Sequence, residues 1–196
     1  KELLIRTDIQ YFREEFVLYT EPSFFEIFSF KIISGDYKYL SEQGAVFISE
    51  SLAQKLFSNI NVIGKAIIVK DFAGNEYSHI IKGVYQDFPD NSHIKANLLI
   101  SFKNIEGFYK DITFQWDKSN VYCYILTDGT SKNIEKQINN SVPFEIKNNY
   151  NYKFSLQPLG KIHLFSSKIS LNIEKQSVFK QLMILIGIAI LIIILA

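Results

Sequence analysis

The segment "SESLAQKLFSNINVIGKAIIV" (Ser49–Val69) holds the pair with the clearest chemical potential in this sequence, Gly64-Lys65. A glycine followed by lysine can close a phosphate-binding loop, in which backbone N–H groups wrap the phosphates and a following hydroxyl holds magnesium. That loop requires Gly-x-x-x-x-Gly-Lys-Ser/Thr, whereas here Asn59 stands at the first glycine position and Ala66 at the hydroxyl position. The order is also reversed, because a P-loop leads from a strand into a helix and this segment reads as a helix leading into a strand. Gly64-Lys65 therefore reads as a turn, and no nucleotide site is expected there.

Other chemistries fare no better. His79, His93 and His163 are far apart in sequence, with no His-x-x-x-His pair and no paired cysteines to hold a metal. Asp71-Phe72-Ala73-Gly74-Asn75 resembles part of a calcium loop, but Ala73 occupies a ligand position and no glutamate closes it. A hairpin turn is the better reading. No Gly-x-Ser-x-Gly elbow is present. The single cysteine, Cys123, lies in an apolar strand-like run and reads as a buried, inert thiol. Glu14-Glu15 reads as solvated surface. No catalytic, cofactor or metal residues are expected.

The elements that would position such residues follow from patterning. "TEPSFFEIFSFKIISGD" (Thr20–Asp36) reads as a short helix with Pro22 in its first turn and Phe24, Ile27 and Phe28 on one face, followed by a Ser34-Gly35-Asp36 turn. Ala45–Ser49 reads as a strand feeding a helix capped by Ser49, with Leu52, Ala53, Leu56 and Phe57 inward and Asn59 at its left-handed end. From Ala66 to Ser101 the period becomes strand-like, with a Gly74-Asn75 hairpin and a turn around Pro89, Asp90 and Asn91, which suggests a small antiparallel unit. "VYCYILTD" (Val121–Asp128) is apolar on both alternating faces and predicts a strand buried on both sides. "SKNIEKQINN" predicts a helix with Ile134 and Ile138 four apart, and Tyr152–Gln157 alternates as a strand. Strand, helix and strand point to an α+β fold with helices layered on a sheet.

Composition bounds the partners. Lys+Arg total 21 against 20 Asp+Glu, interspersed, so the basic face of a nucleic-acid binder is not expected. Aromatics make up 15% of the chain, in keeping with half-buried strands. One cysteine excludes an internal disulfide but does not fix the compartment. The chain opens on Lys1-Glu2 without a signal peptide and reads as part of a longer protein. From Leu182 to Ala196 it reads "LMILIGIAILIIILA", apolar on every face, which predicts the first part of a transmembrane helix. Gly187 and Ala189 suit that reading, because small residues are tolerated in membrane helices and let neighbours approach. Lys175 and Lys180 precede the run, but the positive-inside rule is weak beside long loops, so orientation stays open.

In order along the chain, "YTEPSFFEIFSFKIISGD", "VFISESLAQKLF", "VIGKAI", "IKGVYQDFPDNSHI" and "LQPLGKIHLFSS", then the apolar helix, resemble the extracytoplasmic domain of MacB-type, FtsX-like ABC transporter permeases. The form common in Bacteroidetes-like Gram-negative bacteria is the most similar. The resemblance covers Tyr19–Ala196 and matches poorly before that. One departure is Val62, where the family usually has proline before Ile-Gly-Lys; proline there would only stiffen the turn. Gly64 and Lys65 are then a family-signature turn.

The resemblance implies a porter-like α+β subdomain from residues 1–44 and 117–167, with a β-rich subdomain inserted at 45–116. A connector at 168–181 and the start of a transmembrane helix at 182–196 follow. It implies a non-enzymatic permease subunit of the inner membrane, with residues 1 to about 180 in the periplasm. ATP would be hydrolysed on a separate cytoplasmic ABC ATPase subunit or domain. A second permease subunit, in a homo- or heterodimer, and a periplasmic adaptor are the other implied partners. The implied function is export of drugs, peptides or lipoproteins; the alternative is an FtsX-like scaffold that regulates peptidoglycan hydrolases or senses antimicrobial peptides.

Overall fold

The computed structural model describes residues 3–7, 10–71, 74–108, 121–143, 153–162 and 179–195. The chain forms two compact units, Lys1–Leu126 and Thr127–Ala196.

The first unit is built on one mixed sheet of eight strands. These are β1 (Leu3–Arg6), β2 (Tyr11–Glu14), β3 (Val17–Thr20), β4 (Ile32–Gly35), β5 (Ala45–Ser49), β6 (Ala66–Lys70), β7 (Glu76–Tyr85) and β8 (Leu98–Ser101). The order across the sheet is β2-β1-β6-β7-β5-β8-β3, with β4 pairing the far end of β7. β5 lies parallel to β7 and antiparallel to β8, and β3 lies parallel to β8. The expected antiparallel unit at 66–101 is thus corrected: β6 and β7 form a hairpin, but β8 leaves it and joins β5 and β3. A hairpin is encoded by its own turn, whereas the partners of β8 are chosen by distant chain. Strands from 1–44 and from 45–116 interleave in this sheet, so it continues across the expected boundary at 44/45.

Both faces of the sheet are covered, which is why β5 is buried at all five positions. On one face Val46, Ile48, Leu98 and Ile100 pack with Leu52, Ala53 and Leu56 of helix α2 (Glu50–Phe57). On the other, Phe47, Leu99 and Tyr85 meet Phe24 and Phe25 of helix α1 (Ser23–Phe28) and Leu40 of a 3-10 turn at Tyr37–Ser41. Phe25 was absent from the expected buried stripe, because α1 is enclosed by aromatic rings wider than a helical stripe.

A bulge in β7 inserts Lys82 between the residues opposite Val46 and Phe47. It lets Ile81 and Val84, three apart, share one face. Gly35 is the last residue of β4 at φ 95°, and a Cβ there would lie 2.6 Å from the Gly83 Cα. The expected Ser34-Gly35-Asp36 turn is therefore corrected: Ser34 and Gly35 are strand residues pressed onto β7, where only glycine fits.

Local signals around α2 are met by geometry. Ser49 accepts the Leu52 N–H at 3.2 Å on its side-chain oxygen and caps the helix. The left-handed end is Ser58 at φ 52°, one residue before the expected Asn59. The β6–β7 hairpin closes through Asp71, whose Oδ1 accepts the Asn75 N–H at 2.8 Å, with Gly74 at φ 93°. A short helix, α3 (Lys103–Phe108), follows β8.

Residues 121–126 close the unit and correct another expectation. They form no strand, and Val121, Tyr122, Ile125 and Leu126 are 50, 55, 48 and 71% exposed. An apolar run becomes a buried strand only where neighbours supply ladder partners, and none among the described residues does so here. Cys123 is exposed with it, not buried.

In the second unit helix α4 (Ser131–Ser141) forms over the expected segment. The strand expected at Tyr152–Gln157 is not formed by its described part, residues 153–157. Side chains of α4 take the place of a ladder: Asn139 accepts the Phe154 N–H at 2.9 Å and donates to the Phe154 carbonyl at 2.8 Å. Glu135 likewise accepts the Leu156 N–H at 2.7 Å. Helix α5 (Phe179–Leu195) has 17 residues and a rise of about 25 Å, short of a hydrocarbon core of about 30 Å. No helix among the described residues is long and apolar enough to cross a membrane, so the expected span is not shown within them.

Candidate functional site

Gly64-Lys65 lies in the turn between α2 and β6. Gly64 sits at φ 87° and donates its N–H to the Ile81 carbonyl at 2.8 Å. Ile81 returns its N–H to the Lys65 carbonyl at 2.9 Å, and Lys65 donates to Val62 at 3.1 Å. The Lys65 ammonium rests 4.6 Å from the centre of the Phe57 ring. The donors a phosphate would need are thus spent in tying the α2–β6 connection to β7. Of the expected membrane-helix residues, Leu182 and Gly187 lie in α5, and Ala196 lies outside the described residues.

The titratable groups are dispersed in space as in sequence. His79 and His93 belong to different surroundings, and His163 lies outside the described residues. Among the described residues no group of three or more His, Cys, Asp or Glu could hold a metal ion. His93 stands beside Tyr124, its Nε2 3.2 Å from the hydroxyl.

His79 is 4% exposed in β7, and its Nδ1 has no hydrogen-bond partner among the described residues. Burial pulls its pKa down to about 4 from 6.5, with a backbone hydrogen bond at Gly44 acting weakly the other way. Between those values the unfolded chain binds a proton that the native chain refuses. The contribution of His79 to stability is therefore intact above pH 6.5 and falls by about 3 kcal/mol as pH drops to 4. Thermal melts from pH 7 to pH 4 should show a shallower decline for His79→Leu than for the native chain. Parallel declines would refute this account.

A cleft of about 320 Å³ is lined by Glu21, Pro22, Ser23, Leu40, Ser41, Phe102 and Lys103. It opens where the parallel strands β3 and β8 both end, the position at which α/β sheets commonly bind ligands. Its chemistry is sparse: Glu21 and Lys103 carry the charge, and no histidine or cysteine lines it to activate the hydroxyls of Ser23 and Ser41. The more extensive feature is an aromatic face. Phe30 and Phe88 stack at 3.9 Å, Phe24 and Phe28 approach at 5.1 Å, and Phe28 and Tyr124 meet edge-on at 4.9 Å.

The sequence model of the MacB-like periplasmic core domain matches residues 4–141. The chain belongs to that family. The match runs from β1 through the end of α4, so the amino-terminal residues, which the quoted motifs left out, are part of the family domain. The fold agrees with that of the periplasmic region of MacB from Actinobacillus actinomycetemcomitans, with a TM-score of 0.50 at 16% identity over 78% of this chain and 65% of that one. A domain of a protein named as a permease, from Porphyromonas gingivalis, is 20% identical over 71% of this chain and 57% of that one, with a TM-score of 0.49. The extracellular domain of the noncanonical ABC-type transporter YknZ from Gram-positive bacteria is 16% identical over 56% of this chain and 55% of that one, with a TM-score of 0.43. The chain thus spans less than two thirds of each of these structures. No curated protein matches the sequence. As a MacB-like periplasmic core domain, it is an extracytoplasmic α+β domain of the ABC transporter permease family, a class that is generally non-catalytic.

Proposed function

We propose that this domain transmits motion across the periplasm for an ABC permease that exports drugs, peptides or lipoproteins. The match of residues 4–141 to the MacB-like periplasmic core domain carries this reading. The energy source is ATP hydrolysed by a cytoplasmic ABC ATPase subunit or domain, and the permease acts as a pair with a second permease subunit. Apolar α5, with Leu182 and Gly187, is the start of the membrane helix that moves the domain, and Ala196 lies outside the described residues. This lever requires an ordered connector at Lys168–Lys180, of which residues 168–178 lie outside the described residues.

A signalling scaffold built on the same domain is the alternative. Deletion of the gene distinguishes the two, with drug sensitivity and cell-chain formation measured side by side. Export predicts raised sensitivity with normal separation of daughter cells. A division defect with unchanged efflux would sink the export reading.

A further inference from the structure

The cleft at the ends of β3 and β8 holds two opposite charges that do not serve each other. Glu21 and Lys103 both line it, yet they form no ion pair together, and neither pairs with any other described residue. The Ser23 hydroxyl makes no hydrogen bond among the described residues. Ser41 donates its hydroxyl to the Lys38 carbonyl at 2.7 Å, which leaves its oxygen able to accept. The backbone around these groups is fixed. Thr20 and Ser101 are paired across the parallel strands, and the Phe102 N–H donates to the Thr20 carbonyl at 2.8 Å, so the chains bearing Glu21 and Lys103 leave the sheet side by side. The Ser101 hydroxyl donates to the Leu40 carbonyl at 2.7 Å and holds Leu40-Ser41 against them. Next to Lys103, Asn104 is buried, and its Oδ1 accepts the Gly44 N–H at 2.8 Å.

We propose that this cleft binds a small zwitterion, the size of a free amino acid or a dipeptide, with its ammonium on Glu21 and its carboxylate on Lys103. A ligand of one charge is attracted by one of these side chains and repelled by the other, whereas a zwitterion complements both. The hydroxyls of Ser23 and Ser41 add hydrogen bonds to the charged ends, and Phe102 and buried Leu40 offer apolar surface to the ligand's carbon skeleton. A volume of about 320 Å³ lies at the small end of ligand sites and suits a molecule of this size. Because the backbone of the site is already tied down, little ordering opposes binding. The site is independent of whether the permease exports or signals.

Titration of the isotope-labelled full chain in detergent micelles with the dipeptide alanylalanine, followed by amide NMR, tests this. Saturable shifts are expected at Ser23, Ser41 and Lys103. N-acetylalanine amide, of similar size but without either charge, should give no saturable shift. Glu21→Gln and Lys103→Gln should each weaken alanylalanine binding about 10-fold, through loss of one charge-assisted hydrogen bond. Amide signals remote from the cleft should stay in place in both variants, showing that the fold is kept. Absence of saturable shifts with alanylalanine, equal binding of the uncharged analogue, or unchanged affinity in either variant would overturn the proposal.

Discussion

Gly83→Ala should destabilise the domain by about 3 kcal/mol, a large share of the stability of an ordinary domain. A Cβ at Gly83 would lie 2.7 Å from the Cζ of Phe47 and closer still to Cδ1 and Cε1 of the same ring. Phe47 is fully buried and cannot swing aside, since Phe25 stands 5.7 Å away, ring to ring. Across the other edge of β7, Gly35 presses on the Gly83 backbone, so the strand cannot retreat in that direction. Two glycines and one phenylalanine thus form a stack in which each needs the others' shape. Denaturant titration of Gly83→Ala, Phe47→Leu and the double variant tests this. The smaller ring-free side chain should relieve part of the clash, giving a coupling of about 1–2 kcal/mol. A Gly83→Ala variant within about 0.5 kcal/mol of native would show that the sheet relaxes freely.

Removal of the Glu14 carboxylate should cost nearly as much. Glu14 is 4% exposed at the end of β2, and its Oε1 accepts from the Phe16 N–H at 3.1 Å and the Asn97 amide at 3.0 Å. Its other oxygen lies 3.9 Å from Lys55, which is itself half exposed. At that distance and exposure the ion pair contributes little, and the two buried hydrogen bonds decide the outcome. Asn97 matters further because its N–H donates to the Phe16 carbonyl at 2.7 Å and its carbonyl accepts from Ser49 at 2.8 Å. Glu14 thereby joins the β2–β3 turn to the entry of β8 and the end of β5. Glu14→Ala should lose about 3 kcal/mol and Glu14→Gln about 1 kcal/mol, since glutamine keeps one acceptor. Equal losses for the two variants in chemical denaturation would mean that the Lys55 charge, and not the acceptor, carries the effect.

The Glu14-Glu15 pair shows where sequence reading fails. Adjacent glutamates read as solvent-facing, and only the partner 83 residues away explains why one of them is buried. Cys123 fails in the other direction: a cysteine in an apolar run is exposed because no strand among the described residues pairs beside it. The contacts of Tyr124 with Phe28 and His93 were equally hidden, because the three residues come from separate stretches with no shared motif to reveal them.

Local requirements, by contrast, are written locally. The β5–α2 junction, the Ser49 cap and the Gly74 hairpin follow from dihedral preference, capping and the period of apolar residues, all of which act within a few positions. So does the Ser131–Ser141 helix. The family is legible as well, because its motifs recur in order along the chain and the match of residues 4–141 includes most of them. What only the tertiary structure decided is which strands meet: β3 beside β8, β5 between β7 and β8, and β4 locked to β7 through Gly35 and Gly83. Pairing of this kind is a competition among distant segments for the same hydrogen-bonding edges and the same buried volume. Its outcome depends on shape and packing that no single stretch of sequence contains.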